Sequence, residues 1–357
     1  MTTEVAFDQA KAETFIGKAL GDVSGQMAVV LAHIGDRLGL FKDLTTNGPA
    51  TDAELAKRAG INQRYAREWL GGMATAGYLE YDPSSDTFIL PPEHVAVLAT
   101  EGSPVFLGGF YQALPSFLKP IDQLLEAFRK GGGVPPSAYD SGLWESMERH
   151  GAHVPEQLLL QQWLPAMPDV DAKLKAGGSL ADVGCGSGRA LIKLAEAYPL
   201  ARFVGFDISD SQLERARGNI AAAGLGDRVS VEKRDVGQGL PEQYDVITTF
   251  DVIHDAVDPL GLLAAIRKGL KADGIYVCAD INSSSRLEEN IGPLGTVLHG
   301  VSVLYCMTTS LAGGGAGLGT LGFHEPKARE MCAEVGFGSV RKLPMENAFN
   351  NVYEIRA

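Results

Sequence analysis

Three glycines at alternate positions separate an apolar stretch from a helical pattern. Residues 179–183 are mostly apolar, Gly184, Gly186 and Gly188 follow, and apolar residues recur at helical spacing from Ala190 onward. A strand, a tight glycine turn and a helix form the first unit of a doubly wound parallel sheet, whose ligand cleft lies at the carboxyl ends of its strands. Glycines allow the backbone to approach a ligand closely. The stretch therefore predicts an α/β domain that binds a ligand at this turn.

The same residues exclude two common ligand classes. The chain has no Gly-Lys-Ser or Gly-Lys-Thr sequence, which a phosphate-binding loop requires. Counted from Gly184, the third glycine of a dinucleotide fingerprint is replaced by Arg189. Asp182, just before the turn, would repel a pyrophosphate and attract an ammonium or sulfonium group.

Two further acids follow the next predicted strands. Asp207 ends the second strand, where an acid binds ribose hydroxyls, and Asp235 follows the third, where we expect it to accept from an adenine amino group. Together with Asp182, they predict an adenosine that carries a positive charge instead of phosphates.

Four segments, DVGCGSG, FDIS, RDV and YDVITTFDVIHD, occur in this order after Asp169. Together they resemble the class I S-adenosylmethionine-dependent methyltransferases. The resemblance implies a seven-stranded Rossmann-like sheet, mostly parallel with an antiparallel last strand, with S-adenosylmethionine as cofactor and S-adenosylhomocysteine as product. It also implies that the cofactor is bound by a set of residues from these segments: Asp182, Gly184, Gly186, Gly188, Asp207, Ile208, Asp235, Val236 and Phe250.

The N-terminal part has the pattern of a winged helix. After an arm or short helix over residues 1–23, apolar residues at helical spacing run from Ser24 to Leu44. Thr51 and Glu54 form a capping-box pair that opens a helix. A further helix and a hairpin follow over residues 62–90.

A winged helix raises the possibility of DNA binding, but its charge argues against this. Residues 1–100 contain eight basic and 13 acidic residues, whereas a DNA-binding domain normally presents a basic face. Winged-helix domains in small-molecule O-methyltransferases, which this region resembles, dimerise instead. The stripe from Met27 to Leu44 suits a two-fold contact, so we expect a homodimer.

Three domains are predicted: a winged-helix dimerisation domain over 1–100, a helical linker that roofs the active site over 101–168, and the methyltransferase domain over 169–357. The linker is rich in aromatic residues. Tyr139, Trp144 and Met147 are the residues that we expect to line the cleft, and Trp144 and Met147 are predicted to contact the methyl acceptor.

His254 and Asp255 follow the fourth predicted strand. Methyl transfer to a hydroxyl requires removal of a proton, and a neutral imidazole is suited to accept it. The His-Asp pair resembles that of plant and bacterial winged-helix O-methyltransferases, in which the histidine is the general base. We therefore predict His254 as the base and Asp255 as the residue that orients it or the acceptor.

The match to those O-methyltransferases is partial. Ala256 stands where they have tryptophan, and Asp280 matches the first of two glutamates that brace their histidine. The second falls near Gly322, with His324 and Glu325 close but out of register. The segment ENAFNN resembles their Asn-Ala-Phe-Asn, which makes Asn350 a predicted wall of the acceptor pocket.

Other chemistries fit less well. The chain has neither an Asn-Pro-Pro-Tyr nor an Asp-Pro-Pro-Tyr sequence after the fourth strand, and no Pro-Cys, which argues against base methylation of DNA. Catechol-type enzymes bind a metal through an acid and an adjacent Asp-Asn pair. Here Asp251, Asp280 and Asn282 are present but Ile281 interrupts the pair, so we predict no metal.

The segment 312–322 contains six glycines, too many for a stable helix or strand interior. It is either a flexible surface loop or a lid whose backbone passes close to the ligand.

Composition sets the remaining bounds. The chain has 31 basic and 44 acidic residues, a net charge of −13, which does not attract nucleic acid or an anionic membrane. Its N terminus lacks the apolar core of a signal peptide, and no uninterrupted apolar run approaches the roughly 20 residues that a membrane helix needs. Four cysteines without a CxxC pair predict free thiols in the cytoplasm.

The predicted function is methyl transfer to a small molecule, at oxygen. Two alternatives remain open: an N- or C-methyltransferase that needs no histidine base, and a regulator whose winged helix binds DNA with S-adenosylmethionine as effector.

Overall fold

The computed structural model describes residues 7–345, 347 and 349–356, except for the side chain of Glu156. The chain divides into two units. One comprises residues 1–114 with 145–150, and the other comprises residues 115–144 with 151–357.

The first unit has the predicted winged-helix order of helices followed by a hairpin. Its elements are α1 (Gln9–Arg37), α2 (Leu40–Asn47), α3 (Asp52–Ala59), α4 (Gln63–Thr75), β1 (Glu80–Asp82), β2 (Thr87–Ile89), α5 (Pro92–Leu98) and the start of α6 (Gly108–Leu118). The capping box of Thr51 and Glu54 opens α3 as predicted, and Gly60 ends it with a φ of 66°.

Helix α1 is longer than the sequence pattern indicates. It begins at Gln9, with the Asp8 side chain as its N-cap, and so includes most of the predicted arm, whose first six residues lie outside the described part of the chain. Small residues allow α1 to pack closely on the rest of the unit. At Gly35, for example, a Cβ would lie only 2.4 Å from the Trp69 ring. Leu40 and Leu44 were included in the stripe from Met27 to Leu44 that suits a two-fold contact. Both instead lie in α2 and are buried.

The second unit begins with helical segments and continues into a sheet. The helical segments are α7 (Ile121–Lys130), the first residues of α8 (Ser141–His150), a π-helix (Val154–Trp163) and α9 (Pro168–Lys175). The strands are β3 (Ser179–Val183), β4 (Arg202–Asp207), β5 (Val229–Lys233), β6 (Tyr244–Phe250), β7 (Leu270–Ile281), β8 (Ser339–Lys342) and β9 (Asn350–Arg356). The intervening helical segments are α10 (Arg189–Ala197), α11 (Asp210–Ala222), α12 (Pro259–Gly269), α13 (Pro293–Val301), a second π-helix (Ser302–Cys306), α14 (Met307–Ala312) and α15 (Glu325–Glu334).

The seven strands lie in the order β5-β4-β3-β6-β7-β9-β8, and β9 alone runs antiparallel to its neighbours. This is the predicted architecture: a mostly parallel sheet whose last strand is reversed. Strand β7 begins at Leu270, directly after α12, and so includes residues 271–274.

Alternate residues of the strands enter two cores, one on each face of the sheet. Leu180, Val246 and Ile275 belong to one cluster, and their neighbours Ala181 and Ile247 belong to the other. A parallel sheet is buried on both faces in this way because its crossover helices cover both. The carboxyl ends of β3, β4, β6 and β7 therefore share one edge, and the segments that follow them lie together.

Two helical stretches, Gln9–Arg37 and Pro293–Ala312, are long and apolar enough to cross a membrane by length and composition alone. Neither stretch is an uninterrupted apolar run, since polar residues occur in both, so the expectation about such runs is not contradicted. Buried helices of globular proteins also meet the criterion of length and composition, and Pro293–Ala312 is partly buried.

Candidate active site

The glycine turn after β3 adopts the conformation that the sequence predicts. Gly184, Gly186 and Gly188 have φ values of 73°, 52° and 76°, which side chains rarely adopt. A Cβ at Gly184 would lie 2.6 Å from Val252, so the turn passes directly over the segment after β6. The turn thus presents bare backbone at the carboxyl edge of the sheet.

Asp207, at the end of β4, supports this turn. Its Oδ2 accepts from the Gly186 N–H at 3.0 Å and its Oδ1 accepts from the Ser209 N–H at 2.8 Å. A carboxylate has about four acceptor positions, so both oxygens can accept further hydrogen bonds from a ligand. Burial raises the pKa of Asp207. Ile208, the next residue, is exposed.

Asp182 lies beneath the turn. It is buried, and Oδ1 accepts from the Thr248 hydroxyl at 2.7 Å, which links β3 to β6. Burial raises the pKa of Asp182 to about 7, and the charge of Asp207 adds to this. At neutral pH the Asp182 carboxyl is therefore only partly ionised.

The remaining predicted cofactor residues lie along the same edge. Asp235 is exposed, and its Oδ1 accepts from the Gly237 N–H at 3.0 Å. Val236 is buried beside it. Phe250 ends β6 and is half-buried, with its ring 6.1 Å from that of Trp163.

His254 lies in a short 3-10 turn (Ile253–Asp255) that follows β6. Its imidazole is only 3% exposed, and Nδ1 lies 2.6 Å from Oδ1 of Asp280, near the carboxyl end of β7. The other Asp280 oxygen accepts from the Ile253 and His254 N–H groups at 3.2 and 3.4 Å. On the opposite side of the ring, Nε2 lies 3.2 Å from Oδ1 of Asp255. Asp280 therefore fixes the orientation of the histidine ring.

The charges around His254 act in opposite directions on its pKa. Burial lowers the pKa, but the carboxylates of Asp255 and Asp280 more than offset this, so the pKa of His254 is raised well above its usual value. The imidazole in the free protein is thus stabilised in its protonated form.

Asp251 adds a third carboxylate. Its φ is 55°, a conformation that costs on the order of 1–3 kcal/mol for a non-glycine residue and is frequent at functional sites. The Asn350 side-chain amide donates to Asp251 Oδ1 at 2.7 Å. Although the residue is exposed to the cleft, the surrounding protein displaces enough water to raise the pKa of Asp251 to about 7, with Asp280 adding to the effect.

Other residues named from the sequence act separately. His324 caps α15 through the Lys327 N–H, and Glu325 pairs with Arg329, so neither braces His254. The Asn282 side-chain amide donates to the Asn347 carbonyl at 2.9 Å. This bond points away from Asp251 and Asp280, the two acids compared with the metal ligands of catechol-type enzymes.

The second π-helix contributes two residues that the sequence analysis missed. Tyr305 is buried and contacts Tyr139 and Trp144, with ring centroids 5.2 and 5.8 Å apart. Cys306 is buried near His254 and Asp255. The apolar pattern around Tyr305 is visible in the sequence, but an added residue in a helical turn leaves no sequence signal. Met147 is half-buried in α8, in the first unit.

The glycine-rich segment packs closely on the segment after the His254 turn. The Ala316 N–H donates to the Val257 carbonyl at 3.0 Å. A Cβ at Gly315 would lie 2.4 Å from the same carbonyl oxygen, and one at Gly319 would lie 2.2 Å from Ser302 Oγ. The glycines therefore allow two backbones to touch.

We expect Gly315→Ala to destabilise the protein by about 1–3 kcal/mol, because the methyl group would meet backbone that cannot move aside. The matched control is Gly300→Ala in α13, where a Cβ would have nothing within 4 Å. Denaturant unfolding should show a loss of stability for the first variant and none for the second. Equal stability of both variants would contradict the packing account.

Two family models match the chain. A model described as a methyltransferase domain matches residues 174–310, and one described as an Rv2258c-like winged helix-turn-helix domain matches residues 25–100.

Curated relatives match over shorter stretches. A ubiquinone biosynthesis O-methyltransferase of Ruegeria sp. is 31% identical over 111 residues, which is 31% of this chain and 44% of the relative. The 27-O-demethylrifamycin SV methyltransferase of Amycolatopsis mediterranei is 29% identical over 144 residues, 39% of this chain and 52% of the relative. The chain thus spans about half or less of the length of these relatives.

Solved structures match over nearly the whole chain. The mitomycin 7-O-methyltransferase MmcR has a TM-score of 0.70 at 22% identity, with 97% of this chain and 99% of that chain covered. Human N-acetylserotonin methyltransferase, solved in complex with S-adenosylmethionine, has a TM-score of 0.67 at 17% identity, with 100% of both chains covered. At these identities the likeness concerns the fold.

The strand order, the glycine turn and the two family models agree with one another. The chain combines a methyltransferase domain, whose sheet has the class I methyltransferase fold, with an N-terminal Rv2258c-like winged helix-turn-helix domain.

Proposed function

We propose that this methyltransferase transfers the methyl group of S-adenosylmethionine to a hydroxyl oxygen of a small molecule. The observation that carries the proposal is the buried His254, whose Nδ1 is bound to Asp280 at 2.6 Å at the carboxyl edge of the sheet. A histidine held in this way is arranged to accept a proton on Nε2, which a hydroxyl acceptor requires and most amine or carbon acceptors do not.

The residues of the cleft fit the cofactor. The backbone of the glycine turn is open to a ligand, Asp207 has acceptor positions for two ribose hydroxyls, and Asp235 is exposed where an adenine amino group is expected. When bound, S-adenosylmethionine supplies a methyl group on a positively charged sulfur. The buried carboxyl of Asp182 and the carboxylate of Asp251 favour such a cation.

His254, together with its two carboxylate neighbours, accepts the proton of the acceptor hydroxyl. Asp280 holds the proton on Nδ1, which leaves Nε2 to accept, and Asp255 lies 3.2 Å from Nε2, where it stabilises the imidazolium that results. The raised pKa of His254 favours the protonated ring, so the neutral form that acts as a base becomes populated only as the pH rises.

An acceptor with an aromatic or other apolar body fits the surroundings of this base. The rings of Tyr139, Trp144 and Tyr305 form one contiguous cluster. The names of the mitomycin and N-acetylserotonin methyltransferases indicate that similarly folded enzymes act on small molecules.

Transfer of a labelled methyl group from S-adenosylmethionine to a panel of phenols, alcohols and amines would test the proposal. We expect label on phenolic or alcoholic oxygen. Label on amine or carbon acceptors alone would favour the N- or C-methyltransferase alternative. Cofactor binding without transfer to any acceptor, together with DNA binding, would favour the regulator.

Cofactor affinity should depend on pH through Asp182. Because the pKa of Asp182 is raised to about 7, this carboxyl is mostly neutral at pH 6 and mostly ionised at pH 8. A cationic ligand binds better to the ionised form, so affinity for S-adenosylmethionine should increase across this range, as titration calorimetry at several pH values would show. S-adenosylhomocysteine, which lacks the sulfonium charge, should show a smaller increase. Asp182→Asn should flatten the curve, and an unchanged slope would contradict this role.

We also propose that α1 pairs with α1 of a second copy in a homodimer. Six exposed apolar residues follow the 3-4 spacing of a coiled-coil seam: Ile16, Leu20, Val23, Met27, Val30 and Ile34. Leu20 and Met27 are 68% and 54% exposed, which is unfavourable for a helix that stays unpaired.

The double variant Leu20→Glu, Met27→Glu should be monomeric in sedimentation experiments while remaining folded, because two charges would have to be buried in the seam. Leu200→Glu, at an exposed apolar position of the other unit, is the control and should leave the oligomeric state unchanged. A dimer that persists in the double variant would exclude this seam.

The four cysteines are all buried free thiols, which supports the proposal that the enzyme works in the cytoplasm.

A further inference from the structure

Three potential metal ligands meet beside the proposed base. His254, Asp255 and Cys306 each offer one ligand atom, and these atoms all lie within 4.8 Å of one another. Cysteine, histidine and aspartate are the residues that bind zinc in proteins. The cysteine comes from the π-helix Ser302–Cys306, far along the chain from the other two. The absence of a CxxC pair therefore does not bear on this site, whose ligands come from separate segments.

The separations suit a tetrahedral ion. With zinc bonds of about 2.0–2.3 Å, two ligand atoms lie roughly 3.3–3.8 Å apart. Nε2 of His254 and Oδ1 of Asp255 are 3.2 Å apart already. A small rotation of the Cys306 side chain completes the set, since no ligand atoms are more than 4.8 Å apart.

An unsatisfied acceptor points to the same place. Within the described part of the chain, Oδ1 of Asp255 is buried and has no hydrogen-bond partner when the His254 ring is neutral, since Nε2, 3.2 Å away, then carries no proton. A buried carboxylate oxygen without a donor is costly, and a cation would satisfy it.

The surroundings resemble those of metal-binding histidines. Such histidines bind the metal with one ring nitrogen and donate the other to a carboxylate, which here is Asp280 at 2.6 Å from Nδ1. The segments that carry the ligands are also joined, because the Ser310 hydroxyl of α14 donates to the Ala256 carbonyl at 3.0 Å. The histidine ring is therefore oriented, and the segments that carry the ligands are joined, without an ion.

We propose that His254, Asp255 and Cys306 bind one zinc-class divalent ion, and that the bound ion inhibits methyl transfer by occupying Nε2 of the base. A thiolate and an imidazole favour zinc or cobalt over magnesium, which prefers oxygen ligands. Binding releases the Cys306 thiol proton and any proton on Nε2 to solvent. Three protein ligands leave a fourth position for water. The inhibition rests on the proposed function, whereas the binding does not.

Cobalt absorption tests the binding without any assay of activity. Titration of the full chain with Co²⁺ should give one ion per chain and the near-ultraviolet charge-transfer band of a cobalt–thiolate bond. Cys306→Ser should abolish the band, and Cys332→Ser, at a buried cysteine of α15, should retain it. Asp255→Asn should weaken Co²⁺ binding at least tenfold while the thiolate band remains at saturation, which provides a test if Cys306→Ser fails to fold.

Zinc should displace cobalt from the wild-type protein and reduce methyl transfer at least tenfold, and a chelator should restore it. A folded wild-type protein without the band, or a band that survives Cys306→Ser, would overturn the site. Zinc that binds at the site but leaves methyl transfer unchanged or faster would overturn the inhibition. If no acceptor is methylated at all, the proposed function fails while the cobalt result still decides the site.

Discussion

His254→Ala should reduce turnover with a hydroxylated acceptor by about 10²–10⁴-fold, the range that a positioned general base contributes. Affinity for S-adenosylmethionine should remain nearly unchanged, because the glycine turn and Asp207 are not part of the histidine cluster. Steady-state kinetics and titration calorimetry on the same preparation would separate the two effects. A fall in turnover with intact cofactor affinity identifies a residue that acts on the acceptor side.

The variant carries one physical complication. Without the imidazole, the carboxylates of Asp255 and Asp280 lose the cation between them, so the protein should also be less stable. His299→Ala, at an exposed position of α13, is the matched control and should match the wild type in both measurements. Asp280→Asn keeps the shape of the site and should also slow turnover, because the ring loses its orienting carboxylate. Unchanged turnover in a folded His254→Ala protein would remove His254 as the base.

Asp207→Ala should weaken S-adenosylmethionine binding about a hundredfold or more. A hydrogen bond to a charged group contributes about 1.5–3 kcal/mol, and the carboxylate is expected to accept two from the ribose. The loss should be larger still because Asp207 also accepts from the Gly186 N–H and so holds the glycine turn in shape.

The control for this variant is Asp210→Ala, three residues further along the chain. Asp210 is exposed and pairs with Lys233, so its removal should leave cofactor binding within about twofold. Asp207→Asn retains the size of the side chain and separates loss of charge from loss of shape. Cofactor affinity that is equal in the Asp207→Ala and wild-type proteins would place the ribose elsewhere.

The parts of the fold that follow local rules could be predicted from the sequence. The alternation of apolar residues in the strands, the positive φ of Gly184 and the capping box at Thr51 each have a sequence signature. These features were sufficient to predict the strands and helices, whereas the reversed last strand was implied by the resemblance to class I methyltransferases.

The parts that depend on packing could not be predicted. The glycine-rich segment packs so closely on Val257 that a Cβ at Gly315 would collide with it. This contact joins residues far apart in the chain, so the sequence gives no local sign of it. Cys306 reaches His254 only because a π-helix shifts the helical register before α14. The full length of α1 was not predicted, because its N-terminal residues are exposed and no packing within the chain requires them to be helical.

The same limit applies to the candidate site. The residues Asp207, His254 and Asp280 could each be placed by their position after a strand, since strand ends share one edge of a parallel sheet. The raised pKa of His254 arises from two carboxylates on different segments, and only the folded arrangement shows both on opposite sides of the ring.

Titration calorimetry of the wild-type chain with S-adenosylmethionine, S-adenosylhomocysteine and NAD⁺ tests the central claim most directly. The account predicts that the first two bind once per chain, with a dissociation constant on the order of micromolar, and that NAD⁺ does not bind. A folded protein that binds neither methyl donor nor product, or that binds NAD⁺ equally well, would contradict it.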